Sequence, residues 1–204
     1  LPEAEIRFSD NGSIVGILPA ERNIAHRIIE EFMIAANECV AQQLSSSGSP
    51  LLYRAHEKPD PQKVDEFAQF AAVLGYRLEK HDGEYRAIDF QKFIAQLEGK
   101  PEQRFLAYLM LRSFMQARYS EHNPGHFGLA AKEYTHFTSP IRRYSDLVVH
   151  RLLKQSLRDR PSTAWQARMA ERLPEIALHV SDRERIADEA EREIERIKKA
   201  QFMA

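Results

Sequence analysis

The chain has 204 residues, a formal net charge of −1 and a hydrophobic fraction of 43%, which fits a soluble globular protein. No apolar run approaches the roughly 18 residues of a membrane span, no charged-then-apolar leader is present, and the single cysteine, Cys39, excludes an internal disulfide and suits a reducing cytoplasm. The weakly acidic balance means that any nucleic-acid contact must come from local arginine clusters, not from a uniformly basic body.

The opening, EIRFSDNGSIVGILP, alternates apolar and polar residues around Asp10-Asn11-Gly12 and predicts a short hairpin. A long helix is predicted from about Glu21 to Leu44, with Ile24, Ile28, Ile29, Phe32, Met33, Ala36, Val40 and Leu44 as its apolar stripe. Ile34 lies off that stripe, so the helix should be enclosed on more than one side. After a serine-rich loop (Ser45–Pro50), LLYRAH reads as a strand. Asp60-Pro61 then supplies an N-cap and a first-turn proline for a helix stopped by Gly75.

The turn at Asp82-Gly83 joins either a small hairpin or plain extended connections. Helices are expected over Asp89–Leu97 and Glu102–Ala117, the second apolar enough to be core. Asn123-Pro124-Gly125 breaks the chain before HFGLAAKEYTHFTSPIRRYSDLVVHRLL (His126–Leu153), where a helix should open at Ser139-Pro140. Three further helices are predicted: Ser162–Arg172, Pro174–Val180, and one from Ser181, whose S-D-R-E start forms a capping box with Glu184. The fold class is α+β and helix-rich, in a single domain over residues 1–204. Starting at Leu1-Pro2-Glu3 and ending inside a charged helical pattern, the chain reads as a segment of a longer protein.

The Ser139-Pro140-Ile141-Arg142-Arg143 stretch is electrostatically backwards for a helix start. Helix N-termini carry partial positive charge, so Arg142 and Arg143 are unfavourable there unless an anion is bound. Either one of them pairs with Asp146 one turn on, or the corner holds a phosphate. Tyr134, His136, Phe137 and Tyr144 surround the arginines, the mixture found where bases stack and phosphates are clamped. Composition leaves both readings open. His150, four residues after Asp146, should pair with it.

Other chemistry finds little support. His122, His126, His136 and His150 lack an HExxH pattern and cysteine partners, so no metal site is expected among them. Clustered carboxylates for two-metal chemistry are missing, as are a phosphate-cradling GK[ST] loop and GxSxG. Glu30-Glu31 either faces a cleft or lies on a wetter side with Arg27, and Glu191 belongs to a charge-dense helix face.

The string GHFGLAAKEYTHFTSPIRRYSDLVVHRLL resembles the signature of the ribonuclease II / ribonuclease R family, the processive 3′-to-5′ exoribonucleases. LPEAEIRF, AHRIIEEFMIAAN, LYRAHEKPDPQKVDEFAQFAAVLG, LRSFMQARYS and SDRERIADEAEREIERIKKAQFM follow in the family's order, closer to the ribonuclease R branch. The resemblance implies the C-terminal portion of an RNB catalytic domain that acts on single-stranded RNA and releases nucleoside 5′-monophosphates. It makes Arg142 the residue that holds the scissile phosphate. His136, Thr138, Ser139, Arg143 and Tyr144 would shape the pocket, with Glu31 (or Glu30) and Glu191 along the RNA path. The resemblance places the family's magnesium-binding aspartates in an upstream motif without an equivalent in this chain, and the family's flanking cold-shock and S1 domains are expected to be missing too. Alone, then, the chain is expected to be inactive and, with apolar faces uncovered, prone to self-association. The alternative is a non-catalytic helical RNA-binding or scaffold module related to these enzymes.

Overall fold

The computed structural model describes residues 4–158 and 162–203. Strands β1 (Ala4–Phe8) and β2 (Ile14–Pro19) pair antiparallel from Ala4↔Pro19 to Phe8↔Ile14, as the turn residues demand. Gly12 takes φ +79 in the connection, a conformation that a side chain would disfavour.

Helix α1 (Ile24–Ser46) begins three residues later than predicted because Asn23 is its cap: the side chain accepts the His26 N–H while His26 Nδ1 accepts the Asn23 N–H. Its buried residues, Asn37, Ala41 and Leu44, all lie in the C-terminal half. The expected enclosure fails over the first half, where Ile24 and Phe32 are each 68% exposed. Hydrophobic periodicity reports that a face is apolar and says nothing about what covers it.

Two apolar clusters form the core. In the first, the end of α1 packs with Leu51, Leu52 and Tyr119 against α5 (Tyr144–Arg158) and α6 (Thr163–Met203). In the second, α2 (Pro61–Val73), α3 (Ala87–Gln96) and α4 (Gln103–Ser113) enclose Val64, Phe67, Phe93 and Leu106. Phe93 is fully buried with its ring edge-on to Phe67, and truncating it to Ala should cost about 3–5 kcal/mol. A short ladder of β3 (Tyr53–Ala55) and β4 (Arg118–Ser120) lies beside these clusters. Phe127, in a 3-10 turn (Phe127–Leu129), reaches from this region to the second cluster and meets Phe90 and Phe114 edge-on.

Local signals were reliable where they acted locally. Asp60 caps α2 by accepting the Gln62 N–H at 2.9 Å, Pro61 opens the helix, and Gly75 follows its end at φ +85. Asp82 and Gly83 both have positive φ between reciprocal His81–Glu84 backbone bonds, a two-residue turn of the type favoured in hairpins.

Three expectations need correction. Helix α4 ends at Ser113, not Ala117, and buries only Leu106, Met110 and Ser113, so it is core on one face. The three predicted C-terminal helices are one, α6, with Pro174 inside it. Proline removes one ladder bond, and Leu173, Ala177 and Val180, buried on both sides of that gap, hold the helix continuous. Ser181 is therefore no cap: its hydroxyl donates to Ala177 O one turn back and accepts the Tyr119 N–H. Finally, α5 starts at Tyr144 and not at Ser139-Pro140. The architecture remains helix-rich α+β, and among the described residues no helix is long and apolar enough to cross a membrane.

Candidate functional site

The TSPIRRY segment is held by what lies beneath it. The stretch leading into it lies beside β3: the Arg54 N–H donates to Tyr134 O at 2.9 Å, and Thr135 Oγ1 donates to Leu52 O at 2.6 Å. Asn37 on α1 secures it a second time, donating Nδ2 to the Tyr134 hydroxyl and accepting the Phe137 N–H, both at 2.9 Å. Phe137 then stacks on His150, with centroids 4.0 Å apart and planes within 9°. His150 Nε2 bonds to Phe137 O, so this histidine does not pair with Asp146 as expected. The helical spacing was right, but the ring turns toward the segment that crosses the helix.

Ser139 to Arg143 form a tight turn in place of the predicted first turn of a helix. The Ser139 carbonyl accepts both the Arg142 N–H (3.3 Å) and the Arg143 N–H (3.0 Å). Instead of capping with its side chain, Ser139 donates its own N–H to Asp146 Oδ2 at 2.8 Å. The same oxygen accepts Arg143 Nη2 at 2.8 Å, and the Asp146 side chain is fully buried. Of the two readings of the arginine pair, the structural one therefore holds for Arg143. Arg142 differs: it is exposed and has no ion pair among the described residues.

His136 sits below this turn. Its Nδ1 shares a 2.8 Å hydrogen bond with the Tyr119 hydroxyl, and the two rings meet edge-on. Burial, with Arg143 and Arg54 nearby, pushes its pKa down to about 2, so it is neutral at physiological pH and positions its neighbours. His126 is pushed down to about 4 chiefly by burial, with His56 and Arg54 adding to it. Arg54 lies over the Tyr119 ring at 4.8 Å and pairs with Glu184 of α6 at 2.5 Å.

Six of the expected site residues thus come together on one turn and its flanks: His136, Thr138, Ser139, Arg142, Arg143 and half-exposed Tyr144. Glu31 and Glu191 do not join them. Glu31 is exposed on α1, and neither glutamate has an ion pair among the described residues, whereas Glu30 pairs with Arg22. Glu191 is exposed on α6 ten residues past Ser181, about 15 Å further along the helix than its contact with Tyr119. Asn37, Arg54 and Tyr119 were not anticipated. Asn37 had a detectable signal, being four residues before Ala41 and seven before Leu44 on the side of the helix that turns inward.

Among the described residues no group of three His, Cys, Asp or Glu side chains is placed to hold a metal ion. These residues do not fit a magnesium centre by themselves.

The profile of the RNB domain matches residues 1–159. The chain belongs to the RNB domain family. Among RNB relatives, ribonuclease R of Aquifex aeolicus is 49% identical over 203 residues, covering 100% of this chain and 28% of the relative. The structure of Mycoplasma genitalium RNase R in complex with ribose-methylated single-stranded RNA matches with a TM-score of 0.87 at 29% identity, over 95% of this chain and 30% of that one. Yeast Ssd1, described as a pseudonuclease, matches with a TM-score of 0.66 at 27% identity, over 79% of this chain and 20% of Ssd1. The chain therefore spans less than a third of the length of these RNB relatives, which include ribonucleases of the exoribonuclease family.

Proposed function

We propose that this chain is the C-terminal portion of the catalytic domain, over residues 1–204, of a processive 3′-to-5′ exoribonuclease that converts single-stranded RNA to nucleoside 5′-monophosphates. One observation carries the reading: Arg142 is the exposed guanidinium on a turn whose two ends, the Ser139 N–H and Arg143 Nη2, are both bonded to the buried Asp146. A cation on a rigid, preorganised turn suits charge that develops on a phosphate in the transition state. The name of the Aquifex relative and the RNA in the Mycoplasma complex support the substrate class.

In this reading Arg142 meets the scissile phosphate. Arg143 and Ser139 hold the turn, His136 and Thr138 shape the pocket beside it, Tyr144 offers a ring to the RNA, and Glu31 and Glu191 border the strand further away. Magnesium, held by carboxylates outside the described residues, would supply an activated water and charge neutralisation. This chain by itself is expected to release no mononucleotides. Incubation with magnesium and an end-labelled single strand tests that, and appreciable mononucleotide release would refute it.

The match to a protein described as a pseudonuclease favours a second reading, in which the same scaffold binds RNA without cutting it. The corresponding full-length protein separates the two: hydrolysis of the labelled strand excludes the second, and tight binding without hydrolysis excludes the first.

A further inference from the structure

We infer that Asp146 is a positioning residue that sets where Arg142 points; this rests on the proposed role of Arg142. The turn from Ser139 to Arg143 has two ends, and Asp146 holds both. At one end its Oδ2 accepts the Ser139 N–H, and at the other it accepts Arg143 Nη2, each at 2.8 Å. Its Oδ1 accepts the Ser145 hydroxyl at 3.1 Å, which fixes the rotation of the carboxylate. The Ser139 carbonyl closes the turn from within by accepting the N–H groups of Arg142 and Arg143. Arg142 is the one cation between these anchored ends whose side chain is left to solvent.

Burial makes the arrangement firm. The Asp146 side chain is fully buried and Ser145 is 2% exposed. Hydrogen bonds to a charged, desolvated acceptor are stronger than neutral ones. A carboxylate is needed because one oxygen must satisfy a backbone donor and a guanidinium together while the other receives a hydroxyl. Asparagine keeps the shape and an acceptor but loses the charge that holds Arg143. With the Arg143 side chain released, only backbone bonds hold the C-terminal end of the turn, Arg143 N–H to Ser139 O and Leu147 N–H to Arg143 O, and the loosened turn lets Arg142 move. A displacement of about 1 Å at a group that must meet a reacting phosphate costs on the order of 10²-fold in rate.

A double-mutant cycle in the full-length protein tests this, with kcat and KM for a single-stranded RNA measured for wild type, Asp146→Asn, Arg142→Ala and the double variant. Asp146→Asn is expected to lower kcat about 10²-fold with KM nearly unchanged, and to add little once Arg142 is gone. An unchanged kcat in Asp146→Asn, or an equal loss in both backgrounds, overturns the inference, because the carboxylate would then not act through Arg142. An unchanged kcat in Arg142→Ala is a different failure: it removes the role of Arg142 and the inference with it. Should Asp146→Asn not fold, hydrogen exchange on the wild-type protein decides. The Ser139 amide should be protected although it lies outside any regular element, and free exchange there would show that Asp146 does not hold the turn.

Discussion

Arg54 on β3 and Glu184 on α6 are 130 positions apart in sequence and joined by a 2.5 Å ion pair, with side chains 15% and 29% exposed. This pair fastens the long helix to the sheet that supports the TSPIRRY turn. Beside it, Ser181 accepts the Tyr119 N–H, and Tyr119 in turn bonds to His136. The C-terminal helix is thereby tied to the floor of the site by two polar links.

Breaking the pair from one side should be more damaging than removing both charges. Arg54→Met leaves Glu184 partly desolvated and is expected to lower stability by about 1–3 kcal/mol. The double variant Arg54→Met/Glu184→Leu should recover part of that loss. Urea denaturation of the full-length protein checks the order of the midpoints, and a double variant less stable than either single one would contradict it.

Asn37 is the second anchor. Asn37→Leu fits the helix but strands the Phe137 N–H and the Tyr134 hydroxyl, two groups that the buried amide now satisfies. The expected cost is about 2–4 kcal/mol, one unsatisfied buried group contributing about 1–3. Thermal unfolding measures it, and a change within about 0.5 kcal/mol, the range of an ordinary surface substitution, would contradict the prediction.

Acid should destabilise this region through its histidines. In the unfolded chain they take up protons near pH 6.5, the usual value. In the folded chain burial holds His136 down to about 2, His126 down to about 4, and His56 below its usual value. Below about pH 6.5 the unfolded state thus binds more protons than the folded state, so stability falls as pH falls. The His126 contribution levels off near pH 4, and that of His136 continues. The slope from His136 is at most about 1.4 kcal/mol per pH unit. Urea midpoints between pH 7.5 and 4.5 should show the decline, and His136→Asn should flatten it; an unaltered slope in that variant would clear His136.

Replacing Arg142 should affect turnover more than binding. Arg142→Ala in the full-length protein is expected to lower kcat by roughly 10²- to 10³-fold, the cost of losing a preorganised donor to developing charge. RNA affinity should change much less, because an extended strand is held by many contacts. Parallel measurements of single-turnover rate and equilibrium binding distinguish the two effects.

Much of the fold was readable along the chain. Asp60-Pro61, Gly75 and Asp82-Gly83 act through their own backbone conformation or an immediate neighbour, and each does in the structure what its type predicts. The arginine corner was recognisable for a similar reason, since two guanidiniums beside Ser-Pro are conspicuous in any context. Signals that depend on a distant partner were misleading. Ser181 with Glu184 satisfies a capping pattern, yet Tyr119 and Arg54 take those groups and the helix runs straight through. His150 has the spacing to meet Asp146, but the crossing Phe137 segment claims it.

By itself, then, the sequence determined the helix-rich composition, the local caps and turns, the family and the arginine pair proposed to meet phosphate. Only the tertiary structure decided that Arg143 is an anchor and Arg142 the free cation, that Asn37 and Asp146 hold the turn, and that α6 is a single helix. The physical reason is desolvation. Which donor meets which acceptor is settled when buried groups must find partners, and the available partners are set by chain crossings 80 to 130 residues apart that local pattern cannot encode.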